Sequence, residues 1–147
     1  MDALARKAAR LFQMIQSVDS LRLANFLDGV GNEYVKKIPV LLEVNMSREA
    51  SKTGFDPTGL EESLSQLAAL PHLDIRGLMT IGPMSGGPEA ARAAFRELRL
   101  LRDRLVQDHP SVPLPTLSMG MTDDFEIAIE EGSTMVRVGR AIFGHRT

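Results

Sequence analysis

Short apolar runs of β type alternate with helix-type segments along the chain, and this alternation constrains the fold more than any single motif. It predicts βα units laid into a largely parallel sheet. The runs are residues 14–18, 40–45, 75–80, 116–118 and 135–138. Asp56 followed by Pro57 supplies an N-cap and a first-turn proline, opening a helix whose Leu60, Leu64 and Leu67 share one face. Gly87-Pro88 opens the next, with Ala94, Phe95, Leu98, Leu101 and Leu105 as its buried stripe and Asp108-His109-Pro110 as its stop. Thr122 is placed to cap a third helix that turns Phe125, Ala128 and Ile129 inward, with Asp123 and Asp124 where the helix dipole favours acid. Residues 1–20 carry charges through an amphipathic pattern and read as a helix of the mature protein, not a cleaved leader. No repeat, low-complexity tract or linker interrupts the pattern, so residues 1–147 are expected to form a single domain.

Five strands fall short of a closed (β/α) barrel, which needs eight and typically about 250 residues, and read naturally as an open doubly wound sheet. No GxGxxG follows the first run, and no Walker A sequence occurs anywhere. With 17 basic and 19 acidic residues the net charge is -2, too weak a field to gather nucleic acid or an anionic membrane, so any anion must be held locally. No stretch is long and apolar enough to span a bilayer. The absence of cysteine excludes disulfides, thiol catalysis and thiolate metal sites, and it fits a reducing cytoplasm.

Polar residues gather where the apolar runs end: Asp19, Asn45, Thr80, Ser118 and Arg137. In parallel α/β folds this carboxyl edge is where ligands bind. Ser118-Met119-Gly120 offers a hydroxyl and unhindered amides, and Gly139-Arg140-Ala141-Ile142 offers more amides at the start of a short final helix. Together they predict a phosphate cradle, centred toward Gly139 because Asp123 and Asp124 would repel an anion at the other helix start. Arg137 suits either a ring nitrogen or anionic oxygen, or a structural ion pair, and the residues alone leave both open. Lys52, in the polar loop after Asn45, is the lysine nearest the site in this reading. His72, His109 and His145 have neither the spacing nor the setting of a metal site or general base. The arginines at 92, 96, 99, 102 and 104 alternate with acids and read as a solvated helix face with i to i+4 pairing.

Four stretches carry a family resemblance: SVDS at 17–20, LLEVNMSREASKTGF at 41–55, IRGLMTIGPM at 75–84 and LSMGMTDDFEIAIEEGSTMVRVGRAIFG at 117–144. They resemble the pyridoxal-phosphate homeostasis (YggS-like) proteins, single-domain relatives of the alanine racemase N-terminal barrel. The resemblance implies a parallel (β/α) barrel of TIM type, here partial with about five of its eight units. It implies that Ser118, Met119, Gly139 and the Arg140 backbone hold the cofactor phosphate. It also implies that Arg137 faces the pyridine nitrogen and disfavours the protonated ring that most such enzymes use as an electron sink. The candidate cofactor-binding set is therefore Asn45, Ser118, Met119, Gly120, Arg137, Gly139 and Arg140, with no catalytic residue and no metal ligand.

Arg140 departs from the family, which has a small hydroxyl residue there. The family's first three strands, with the lysine that holds the cofactor covalently, have no counterpart in these residues. The expected function is thus non-catalytic pyridoxal phosphate binding, non-covalent and centred on the phosphate. The alternatives are a racemase-like enzyme using Lys52 or a partner's lysine, and an interaction protein with a vestigial site. Self-association to cover open barrel edges is a further expectation.

Overall fold

The computed structural model describes residues 2–50 and 53–146. The elements run α1 (Asp2–Leu11), β1 (Ile15–Val18), α2 (Leu21–Glu33), β2 (Ile38–Glu43), α3 (Pro57–Ala68), β3 (Leu73–Met79), α4 (Gly87–Asp108), β4 (Thr116–Ser118), α5 (Phe125–Glu130) and α6 (Arg140–Phe143). Local chemistry sets the helix starts. Ser20 Oγ accepts the Leu23 amide at 3.2 Å to begin α2, and an Asp56 carboxylate oxygen accepts the Gly59 amide at 3.3 Å to begin α3.

The four strands are all parallel, in the order β1-β2-β3-β4. Between β2 and β3 the register jumps from Val40 opposite Ile75 to Leu41 opposite Gly77. Arg76 is the extra residue, and it turns outward to pair with Asp74 at 2.7 Å. At Gly77 an added Cβ would fall 1.9 Å from the Thr116 carbonyl oxygen, so only glycine lets β4 close on β3.

The two sheet faces follow the period of two. Leu42, Leu78 and Leu117 lie level across three strands and join the core formed with Leu27, Leu60, Leu64, Leu67, Phe95, Leu98 and Leu101 of the helices. One position on, Glu43, Met79 and Ser118 lie level on the opposite face, all buried. That second face carries the polar chemistry.

The predicted fifth strand, 135–138, does not form. Met135 makes a single bridge to Ser118, and among the described residues the sheet has four strands. Side chains take over the backbone groups that a longer ladder would use: the Leu117 amide donates to Thr134 Oγ1 at 2.8 Å, and Ser133 Oγ lies 2.7 Å from the Met119 carbonyl oxygen and 2.9 Å from that of Met135. Gly120, at φ +103°, then turns the chain away. The third predicted helix also starts late, at Phe125, with Asp124 at the cap position; Thr122 does not cap it, and Ile129 faces solvent.

Candidate functional site

Arg137 organises the carboxyl end of β3 and β4. Its backbone N–H donates to the Gly120 carbonyl at 2.8 Å, which fixes where its side chain leaves the chain. Its Nη1 donates to Ser118 Oγ at 2.6 Å and its Nη2 to the Thr80 carbonyl at 3.0 Å. Ser118 Oγ in turn donates to Gln16 Oε1 at 2.6 Å. Thr80 is held as well, its Oγ1 donating to the Val44 carbonyl at 2.7 Å and its amide to the Ser118 carbonyl at 3.1 Å.

The contacts of Arg137 bear on the ion-pair alternative. Both protein acceptors of the guanidinium are neutral, and among the described residues no carboxylate forms an ion pair with it. Burial pushes its pKa below the usual arginine value, while the fields of Asp124 and Glu43 oppose that shift. The group stays charged. A half-buried cation without a contacting anion is suited to an acceptor supplied from outside the chain.

Beside it lies an open cleft of about 620 Å³, lined by Ile81, Gly82, Met84, Asp123, Asp124, Arg137, Gly139, Arg140 and Phe143 among others. The amides of Gly139 and Arg140 precede the first intrahelical bond of α6 and have no acceptor among the described residues. A Cβ built on Gly139 meets nothing within 4 Å, so packing among the described residues does not explain the glycine. The next amide, Ala141, donates to Thr122 Oγ1 at 3.2 Å, so Thr122 serves α6 and not α5. The Arg140 side chain is drawn off to Asp123. A second hollow of about 380 Å³ sits at the opposite end of the sheet, where Asp74 and Arg76 pair with each other.

Of the predicted set, Arg137, Gly139 and Arg140 line the cleft. Ser118, Met119 and Gly120 are buried behind it, and the Met119 amide is spent on the Met135 carbonyl. Asn45 shapes its own loop, its Nδ2 donating to the Glu49 carbonyl at 2.9 Å and its Oδ1 accepting from Ser47 Oγ. Lys52 lies outside the described residues. The His72 backbone amide donates to Asp28 Oδ1 at 2.7 Å, and no group of metal-ligating side chains occurs among the described residues. The expected i to i+4 pairing along α4 gives way to other partners: Arg92, Arg96 and Arg99 converge on Glu131 just past α5, Arg104 reaches Glu61 of α3, and Arg102 pairs with the adjacent Asp103. Sequence reasoning missed Gln16 and Glu43, whose signal is a polar residue inside an apolar run. Glu43 is buried and accepts from Thr53 Oγ1 at 2.6 Å.

Residues 2–147 match the family model for the alanine racemase N-terminal domain. The chain belongs to this family. Among curated members it is 44% identical to a pyridoxal phosphate homeostasis protein of Aquifex aeolicus, over 90% of this chain and 58% of that protein. It is 41% identical to another of the same name from Pasteurella multocida, over 94% of this chain and 59% of that one. The chain thus spans somewhat under two thirds of the length of the curated relatives it matches. Among solved structures, PipY of Synechococcus elongatus with pyridoxal phosphate bound superposes at a TM-score of 0.90 with 38% identity, over 98% of this chain and 66% of that one. An alanine racemase from Clostridium difficile superposes at 0.80 with 17% identity over 99% of this chain, which shows the shared barrel fold. The four parallel strands and their helices are therefore a part of the family's (β/α) barrel.

Proposed function

We propose that this chain binds pyridoxal phosphate reversibly, through its phosphate and ring, as a carrier of the cofactor and not as a racemase. The carrying observation is Arg137, a cation fixed at the carboxyl edge by neutral oxygens and facing a cleft that also presents the free amides of Gly139 and Arg140. The donor set fits the group: two amides and the open space at Gly139 suit a phosphate, and Ile81, Met84 and Phe143 supply apolar surface for a ring. Relatives named for pyridoxal phosphate homeostasis, and a relative solved with the cofactor, support the reading.

Bound pyridoxal phosphate supplies an electron-withdrawing ring whose strength depends on protonation of its nitrogen. A guanidinium only donates hydrogen bonds and keeps its own protons, so Arg137 toward that nitrogen favours the neutral ring and disfavours racemisation. Gly139 and Arg140 take the phosphate through backbone amides. Ser118, Met119 and Gly120 support this arrangement from behind, and Asn45 holds the neighbouring loop.

The holding is non-covalent in this proposal. Lys36 donates to the Ala9 carbonyl at 2.6 Å, and neither it nor Lys7 or Lys37 lines the cleft. Borohydride added to the chain saturated with cofactor should leave its mass unchanged. A stoichiometric adduct on Lys52 would overturn the non-covalent reading and favour the racemase-like one.

We also propose a cytoplasmic setting without nucleic acid or membrane partners. The near-neutral charge, the lack of cysteine and the absence of a helix long and apolar enough to cross a membrane among the described residues support it. The outer edge of β1 has no strand partner among the described residues, which supports self-association. A monodisperse monomer in sedimentation that binds no apolar dye would refute that last point.

A further inference from the structure

Gln16 and Ser118 lie on β1 and β4, the two outermost strands, 102 residues apart in sequence, yet their side chains meet at 2.6 Å across the polar face of the curled sheet. We propose that Gln16 is a positioning residue for Arg137, acting through Ser118, and so sets how the cleft presents its cation to a ligand. The proposal deepens the cofactor reading and rests on it for its binding consequences.

Proton order supports the assignment. A guanidinium carries N–H donors and no acceptor, so Ser118 Oγ must accept from Arg137 Nη1 and send its single proton elsewhere. Ser118 is fully buried, so water cannot take that proton. Gln16 Oε1 is the acceptor, and this requirement orients the Gln16 amide: its oxygen faces Ser118 and its NH₂ faces away. With Nη1 held by Ser118 and Nη2 by the Thr80 carbonyl, the plane of the guanidinium is fixed at two points, and its remaining N–H groups are free for a ligand. Removing the Gln16 acceptor leaves a buried hydroxyl with no place for its proton except the side that Arg137 now occupies. The relay then loses its direction, and the guanidinium keeps one anchor in place of two.

The relay requires the terminal acceptor, not the amide as such. Gln16→Leu removes it, Gln16→Asn withdraws it by one methylene, and Gln16→Glu retains it. Titration of the chain with pyridoxal phosphate should show binding weakened roughly three- to tenfold by Gln16→Leu or Gln16→Asn, the worth of about one hydrogen bond, and restored to within about twofold by Gln16→Glu. In an Arg137→Met background Gln16→Leu should have no further effect, because a residue that acts through Arg137 has nothing left to position. Equal and additive losses in both backgrounds would overturn the proposal.

A ligand-free readout separates this inference from the cofactor reading. Nitrogen-detected NMR of the free chain should show restricted rotation of the Arg137 guanidinium, lost in Gln16→Leu and Gln16→Asn and kept in Gln16→Glu. If the wild-type chain binds no cofactor but the Arg137 signals respond in this way, the relay stands and the cofactor reading falls. If those signals are the same in all four proteins, the relay falls whatever the affinities.

Discussion

Two glycines of the predicted cradle should respond to alanine in opposite ways. Gly120 sits at φ +103°, and a Cβ built there lies 2.7 Å from Ala128 Cβ and 3.0 Å from Phe125 Cα of α5. The positive φ costs an alanine about 1–2 kcal/mol, and forcing a methyl against a packed helix costs about 1–3 kcal/mol more. The sum, roughly 2–5 kcal/mol, is a large part of the ~5–15 kcal/mol that holds a domain folded. In urea, at a slope near 2 kcal/mol per molar, Gly120→Ala should lower the unfolding midpoint by about 1–2.5 M. Ala128→Gly removes the closest contact, so the double variant should show coupling of at least about 1 kcal/mol. Gly139 is at φ -119° with nothing within 4 Å of its built Cβ. Gly139→Ala should therefore stay within about 0.5 kcal/mol of wild type in stability, while weakening binding of a phosphorylated ligand. A Gly120→Ala midpoint equal to wild type, or a double variant without coupling, would refute the packing argument.

Two further outcomes follow from the ion pairs. Hydrogen bonds from Arg96 and Arg92 hold the Glu131 carboxyl below its ordinary value, so its contribution to stability is present above the unfolded-state pKa of about 4.3 and is lost as pH falls through the lower folded value. Glu131→Gln should therefore destabilise the fold at neutral pH, and the gap to wild type in thermal unfolding should close in acid; a gap that persists below the folded value would contradict this. Asp123 is exposed, faces the cleft and engages Arg140. Asp123→Asn removes a negative charge near the proposed phosphate position and frees a cation, so titration with pyridoxal phosphate should show tighter binding at low salt, with the gain fading as salt screens it.

Helices α3 and α4 were legible in the sequence because their signals are local. Asp56-Pro57 announces α3, and the Leu60, Leu64 and Leu67 stripe is buried as its spacing requires. Ala94, Phe95, Leu98, Leu101 and Leu105 do the same for α4. The strand at 135–138 failed because Val136, Arg137 and Val138 satisfy an alternating pattern, while Ser133 and Thr134 hydroxyls, whose competition depends on tertiary position, take the ladder's partners. Thr122 reads as a cap of α5 for a similar reason: a hydroxyl can cap any helix start it reaches, and the one it reaches, at Ala141 of α6, is 19 residues away. At the site, Arg137, Gly139 and Arg140 were legible as cleft residues. The burial of Ser118 behind Arg137 was not, because it depends on a side chain from β1 that only the curl of the sheet brings near.

In the proposed function the cleft beside Arg137 holds pyridoxal phosphate by its phosphate. The most direct test is calorimetric titration of the chain with pyridoxal phosphate and, in parallel, with unphosphorylated pyridoxal. Saturable one-to-one binding of the phosphorylated form, with pyridoxal weaker by an order of magnitude or more, about 1.4 kcal/mol, is the predicted result. Equal affinities for the two, or no binding of either by a folded sample, would contradict it.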